Sequence, residues 1–85
     1  MRSHLNILED IISIFSKNGL EEEQEQLDNE MKASFTGSEL CLRSASKLLT
    51  LESSNKDVKI LAGHLINELV KYCKANGLYP KPNFD

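Results

Sequence analysis

Lys17-Asn18-Gly19-Leu20 and Lys74-Ala75-Asn76-Gly77-Leu78 are the two stretches that decide the fold. Each follows a long run of helix-periodic apolar residues, and each reads as a helix stop. Glycine takes the left-handed conformation just past the last turn. Lysine complements the negative end of the helix dipole, and leucine folds back onto the final turn. With two start signals between them, these stops divide the 85 residues into four helices.

Working outward from the first stop, residues 3–17 form the first expected helix, with Ser3 as N-cap. At about 100° per residue, Leu5, Leu8, Ile11, Ile12 and Phe15 share one side, together with His4. Ile7 and Ile14 widen the stripe to nearly half the circumference, so more than one neighbour must cover it. The second expected helix, 20–33, has a thin stripe of Leu20, Leu27 and Met31, with Gln24 among them. The rest is chiefly Glu and Gln, good helix formers, and acids in the first turn complement the positive end of the dipole. It is expected to be the least strongly held helix.

The next start signal is Thr36 with Glu39, at capping-box spacing, and Phe35 is placed to staple onto Leu40. The third helix is expected to reach about Leu51, with Cys41, Leu42, Ala45, Leu48 and Leu49 inside. Leu40 and Leu51 project to the other side, beside Ser44 and Lys47. They either wrap inward at the helix ends or form an exposed apolar strip. After a polar loop at 52–56, the fourth and longest helix spans about 55–75. Its core stripe is Val58, Leu61, Ala62, Leu65, Leu69, Tyr72 and Cys73, with Ile66 and Val70 on the margin and Ile60 isolated outside. Gly63 costs up to about 1 kcal/mol in a helix interior. It either admits a close neighbour or is simply tolerated. Pro80 and Pro82 keep the tail out of a helix. Residues 79–85 are therefore expected to be extended, strapped back by Tyr79 and Phe84 rather than free as a recognition segment. The expected architecture is all-α: one domain over 1–78, a four-helix up-and-down antiparallel bundle with short junctions, followed by an extended proline-containing tail over 79–85.

Composition bounds the function. With 40% hydrophobic and 27% charged residues the chain is globular, not disordered. No apolar run approaches the roughly 18 residues of a membrane span. Glu9 and Asp10 interrupt the only apolar stretch where a secretory signal would lie. The expected location is the cytoplasm. Cys41 and Cys73 accordingly read as two reduced core thiols. A buried disulfide between the third and fourth helices is the alternative, which spacing leaves open. The net charge of −3 is unevenly spread. Residues 1–31 hold eight acids and two bases, and residues 32–85 hold five acids and eight bases. The acidic half argues against nucleic acid as a partner, and the basic half has no aromatic-interleaved cluster.

Little chemistry is offered. A nucleophilic site needs Cys41 or Cys73 beside His4 or His64, and His64 projects away from the stripe that carries Cys73. No two of these four stand at a chelating spacing for zinc. Glycine-rich phosphate loops and EF-hand ligand spacing are missing. The reading is of a non-enzyme without cofactor or metal. The acids of residues 21–30 recur on one helix face, where Glu21, Glu22, Glu25 and Asp28 form either a solvated surface or an anionic docking face.

In size, acidity and all-helical plan the chain resembles the small bacterial immunity proteins that neutralise a cognate toxin. No motif of such a family matches residue by residue, so no functional residue is carried over. The resemblance implies a cytosolic protein that binds one basic nuclease or other toxin and blocks its site. The acidic second helix is the feature that fits best, because acidic surfaces steer association with basic partners. The alternative is a structural or adaptor module acting as a homodimer, with Leu40, Leu51 and Ile60 as its contact strip.

Overall fold

The computed structural model describes residues 2–82. These form four α-helices: α1 His4–Lys17, α2 Glu21–Lys32, α3 Gly37–Ser54 and α4 Lys56–Ala75. There is no strand among the described residues. Helix α3 packs against α4 and α2, and α1 packs against α4 and, less extensively, against α2.

Both stops have the geometry their residues demand. Gly19 and Gly77 adopt φ of 70° and 78°. The amide of Leu20 donates to the Phe15 carbonyl, and that of Leu78 to the Cys73 carbonyl, each at 2.9 Å. These are the six-residue closures of a Schellman motif. The asparagine before each glycine repeats one device: Asn18 Nδ2 donates to the Ile14 carbonyl and Asn76 Nδ2 to the Tyr72 carbonyl, each at 2.8 Å. At Tyr72 the side-chain amide satisfies a carbonyl that the helix end leaves orphaned, and at Ile14 it adds to the bond from the Asn18 backbone amide. Leu20 is buried as it folds back, and Leu78 is half-buried.

The starts are capped as expected. Ser3 Oγ accepts from the Asn6 amide at 3.3 Å, and Thr36 Oγ1 from the Glu39 amide at 3.0 Å. Glu39 turns its carboxylate toward Arg43, at 3.8 Å. Asn55 closes α3 and opens α4. Its amide donates to the Leu51 carbonyl, and its Oδ1 accepts from the Asp57 amide at 2.9 Å. Helix α3 runs three residues beyond Leu51. Ser53 and Ser54 look like loop residues, but their hydroxyls donate to the Thr50 carbonyl, so the helix accommodates them.

The core draws on every helix: Ile7, Leu8, Ile11 and Phe15 from α1; Leu27 from α2; Cys41, Ala45, Leu48 and Leu51 from α3; Val58, Ala62, Leu65, Ile66, Leu69 and Cys73 from α4. Each fully buried large side chain contributes roughly 1.5–3 kcal/mol. Several placements depart from the periodic projection. Leu5 is exposed and Ile7 wholly buried, so the α1 stripe is rotated toward Ile7. Leu51 and Ser44 are buried and Leu40 is half-buried. The side of α3 that projected outward therefore faces neighbours, because α3 lies between α2 and α4 and must bury two flanks. Phe35 is 92% exposed and does not staple onto Leu40. Thr36 enters α3 through an extended conformation, φ −129° and ψ 164°, and Phe35 is left in solvent.

The cysteines are the largest correction. Cys41 and Cys73 are not reduced thiols but a buried disulfide joining the start of α3 to the end of α4, with a Cα–Cα distance of 6.3 Å. Beyond α4, Tyr79 is exposed and does not strap the tail. That role falls to the Lys81 amide, which donates to Ser46 Oγ at 3.2 Å. Phe84, the other expected anchor, lies outside the described residues.

Candidate functional site

The surface singled out by sequence is the outer face of α2. This segment is helical through its Glu and Gln content, and Leu27 is its only fully buried residue. Leu20 stands at the N-cap without a side-chain hydrogen bond. Three acids in the first turn favour the start through the dipole instead. Two of the six acids are engaged within the molecule. Glu23 Oε2 accepts from Asn55 Nδ2 at 3.1 Å, which ties the start of α2 to the α3–α4 joint. Glu30 approaches Arg43 at 3.7 Å, which ties the end of α2 to α3.

The remaining four are Glu21, Glu22, Glu25 and Asp28. The first three are exposed and Asp28 is half-buried. None forms a hydrogen bond or ion pair among the described residues. Glu21 and Glu25 stand four apart, and Glu25 and Asp28 three apart, so like charges meet on one helix face. Each such pair costs a few tenths of a kcal/mol. Glu25 and Asp28 lie beyond the first turn, where the dipole no longer offsets this. An external cation would relieve it.

Three other charges form a cluster near the start of α1. The Arg2 guanidinium makes a bidentate contact with Glu68, at 2.9 and 3.1 Å, and also pairs with Asp10. Hydrogen bonding to Arg2 holds the Glu68 carboxyl below the usual carboxylate range. No group of three His, Cys, Asp or Glu side chains among the described residues is placed to hold a metal. Both sulfurs are in the disulfide, so neither Cys41 nor Cys73 is available as a nucleophile or thiolate ligand. His64 is exposed. Leu40, Leu51 and Ile60 do not form an exposed apolar strip: Leu51 is buried and Leu40 half-buried, as the inward-wrapping alternative requires, and Ile60 is 76% exposed.

One feature escaped the sequence. A cleft of about 70 Å³ is lined by His4, Gly37, Ser38, Cys41, Tyr72, Asn76 and Leu78. The rings of His4 and Tyr72 are tilted at 41°, with centroids 5.2 Å apart. His4 is half-buried, and its Nδ1 is buried without a hydrogen-bond partner among the described residues. The cleft joins the start of α1, the start of α3 and the end of α4. No local pattern could reveal it, because only tertiary packing brings positions 4, 37 and 72 together.

Comparison with protein-family models, with curated proteins and with solved structures gives no match. No helix among the described residues is long and apolar enough to cross a membrane.

Proposed function

We propose that this chain is a small protein-binding protein whose acidic α2 face, Glu21, Glu22, Glu25 and Asp28, docks a basic partner protein, in the manner of an immunity or inhibitor protein that neutralises a toxin. The observation that carries the reading is the set of four carboxylates on one helix, without a partner among the described residues and repelling one another. The scaffold is read as an up-and-down antiparallel four-helix bundle over 1–78 with an extended tail over 79–85. Support comes from pairs across helices: Cys41 with Cys73 joins the start of α3 to the end of α4, Glu23 with Asn55 joins the start of α2 to the junction after α3, and Arg2 with Glu68 joins the residue two before α1 to the C-terminal half of α4. On this reading the protein is not an enzyme, holds no cofactor or metal, and acts by occluding its partner.

The cytoplasm is the location carried over from the sequence. The disulfide is the observation against it, because cytosolic thiol pools keep cysteines reduced. Trapping free thiols during cell lysis, followed by intact-mass measurement, decides between the two.

The docking reading is tested by pull-down from the source organism, with unmodified protein beside a variant carrying Glu21→Lys, Glu25→Lys and Asp28→Lys. All three are exposed or half-buried, so the fold should survive the changes. The reading expects a basic protein to be retained by the first and lost by the second. Equal retention by both removes α2 from the interface.

A further inference from the structure

We propose that the segment after α4 is a strap that controls access to the Cys41–Cys73 disulfide, and that a low-molecular-weight thiol opens the bond by attack on Cys41 when the strap lifts. The two cysteines are not equivalent. Cys41 forms part of the cleft wall, whereas Cys73 is wholly enclosed and takes no part in it. Leu78 shares that wall with Cys41. Its amide donates to the Cys73 carbonyl at 2.9 Å, so the strap begins on a residue of the crosslink. Three residues on, the Lys81 amide reaches Ser46 Oγ at 3.2 Å, five positions beyond Cys41 in α3. Residues 78–81 therefore cross from the end of α4 to α3, starting beside Cys41.

The strap is lightly held. Beyond Leu78, the bond from Lys81 to Ser46 is its only hydrogen bond to the bundle among the described residues. Pro80 and Pro82 have no amide to donate, Tyr79 and Lys81 are exposed, and Leu78 is half-buried. A segment with so few buried contacts opens far more readily than the domain unfolds. With the strap in place Cys41 is only 2% exposed, which keeps thiols out. Once it lifts, the attacking thiolate bonds to Cys41 Sγ, the Cys41–Cys73 bond breaks, and its electron pair passes to Cys73 Sγ. Cys73 lies in the last turn of α4, where the dipole disfavours a thiolate, so it takes a proton from water. The new S–H has an acceptor in place, the Cys41 carbonyl at 3.5 Å. A second thiol then displaces Cys41 from the mixed disulfide. Two thiols are oxidised to one disulfide, and the protein disulfide is reduced to two thiols. This inference does not rest on the α2 reading.

The test is reduction of the oxidised, full-length chain by 2-mercaptoethanol without denaturant, quenched with N-ethylmaleimide and followed by intact mass and peptide mapping. The mixed disulfide should sit on Cys41, with maleimide on Cys73. Chain unfolded in urea, which exposes both sulfurs, provides the unselective reference. Ser46→Ala removes the acceptor that anchors the strap, and Lys81→Pro removes the donor at an exposed position without touching the core. Each should speed reduction about two- to tenfold, as the loss of one net hydrogen bond shifts an opening equilibrium, and the adduct should stay on Cys41. Adducts divided between the two cysteines as in the unfolded reference, or found chiefly on Cys73, would overturn the assignment of Cys41. Reduction of both variants at the unmodified rate would overturn the strap.

Discussion

Breaking the Cys41–Cys73 disulfide should cost this protein a large share of its stability. The two residues are 32 positions apart, so the bond removes from the unfolded chain the freedom of a loop of that size. The loop-closure relation gives about 12 cal/mol/K, or ~3.7 kcal/mol at room temperature. A chain of 85 residues has a total stability of roughly 4–13 kcal/mol, so the loss is about a quarter or more. With an unfolding entropy of about 2 cal/mol/K per residue, the melting temperature should fall by ~20 °C. The assay is a pair of thermal melts, oxidised and fully reduced, followed by circular dichroism at 222 nm. Reduction leaves both sulfur atoms in place, so core volume changes little and the difference reports the crosslink. A variant carrying Cys41→Ala and Cys73→Ala should melt near the reduced protein or lower, because it also loses buried volume. Both sulfurs are buried, so reduction under native conditions should be slow and should accelerate in denaturant. Oxidised and reduced melts within about 3 °C of each other would refute the loop-entropy argument.

Leu69 is wholly buried at the centre of the α4 stripe, and Leu69→Ala should cost about 2–5 kcal/mol, read from denaturant midpoints. Gly19→Ala and Gly77→Ala meet no neighbouring atom, so each should cost only the strain of positive φ, roughly 1 kcal/mol. Gly63→Ala should stabilise by up to about 1 kcal/mol, since the added methyl meets the far end of the Glu52 side chain at 3.3 Å and Lys59 Cγ at an ordinary contact distance of 3.9 Å. A lowered melting temperature for that variant would show that the Glu52 carboxylate is held in place.

Helix ends were legible because they are written in short local words. Lys-Asn-Gly-Leu, Ser3 and Thr36 act through hydrogen bonds within a few residues, and sequence spacing specifies such bonds directly. The Gln24-flanked stripe of Leu20, Leu27 and Met31 was legible for the same reason, since a helix with one seam leaves no choice of face. Where a helix has neighbours on two sides, periodicity gave the wrong outer flank. Ser44 and Leu51 project outward on an ideal wheel, yet α3 is covered by α2 and α4 and buries both. The disulfide was open from sequence because two inward-facing cysteines also need the same height along adjacent helices. That height follows from the register of α3 against α4, which local pattern does not set. The cleft at His4 and Tyr72 was invisible for a related reason: it belongs to three segments far apart in the chain. Of the acidic face, the sequence supplied position and charge. It could not show that Glu23 and Glu30 are tied to Asn55 and Arg43 while the other four acids have no partner among the described residues.

The central claim is that α2 meets a basic partner electrostatically, and the most direct measurement of it is the association rate as a function of ionic strength. Stopped-flow mixing with the captured partner should show a rate constant that falls steeply as salt rises from low to physiological concentration, because steering between exposed charges is screened over about 8–10 Å. The variant with Glu21→Lys, Glu25→Lys and Asp28→Lys should associate at least tenfold more slowly at low salt and show a much flatter salt dependence. An unmodified protein whose association rate ignores salt, or a triple variant that associates as fast as the original, would contradict the account.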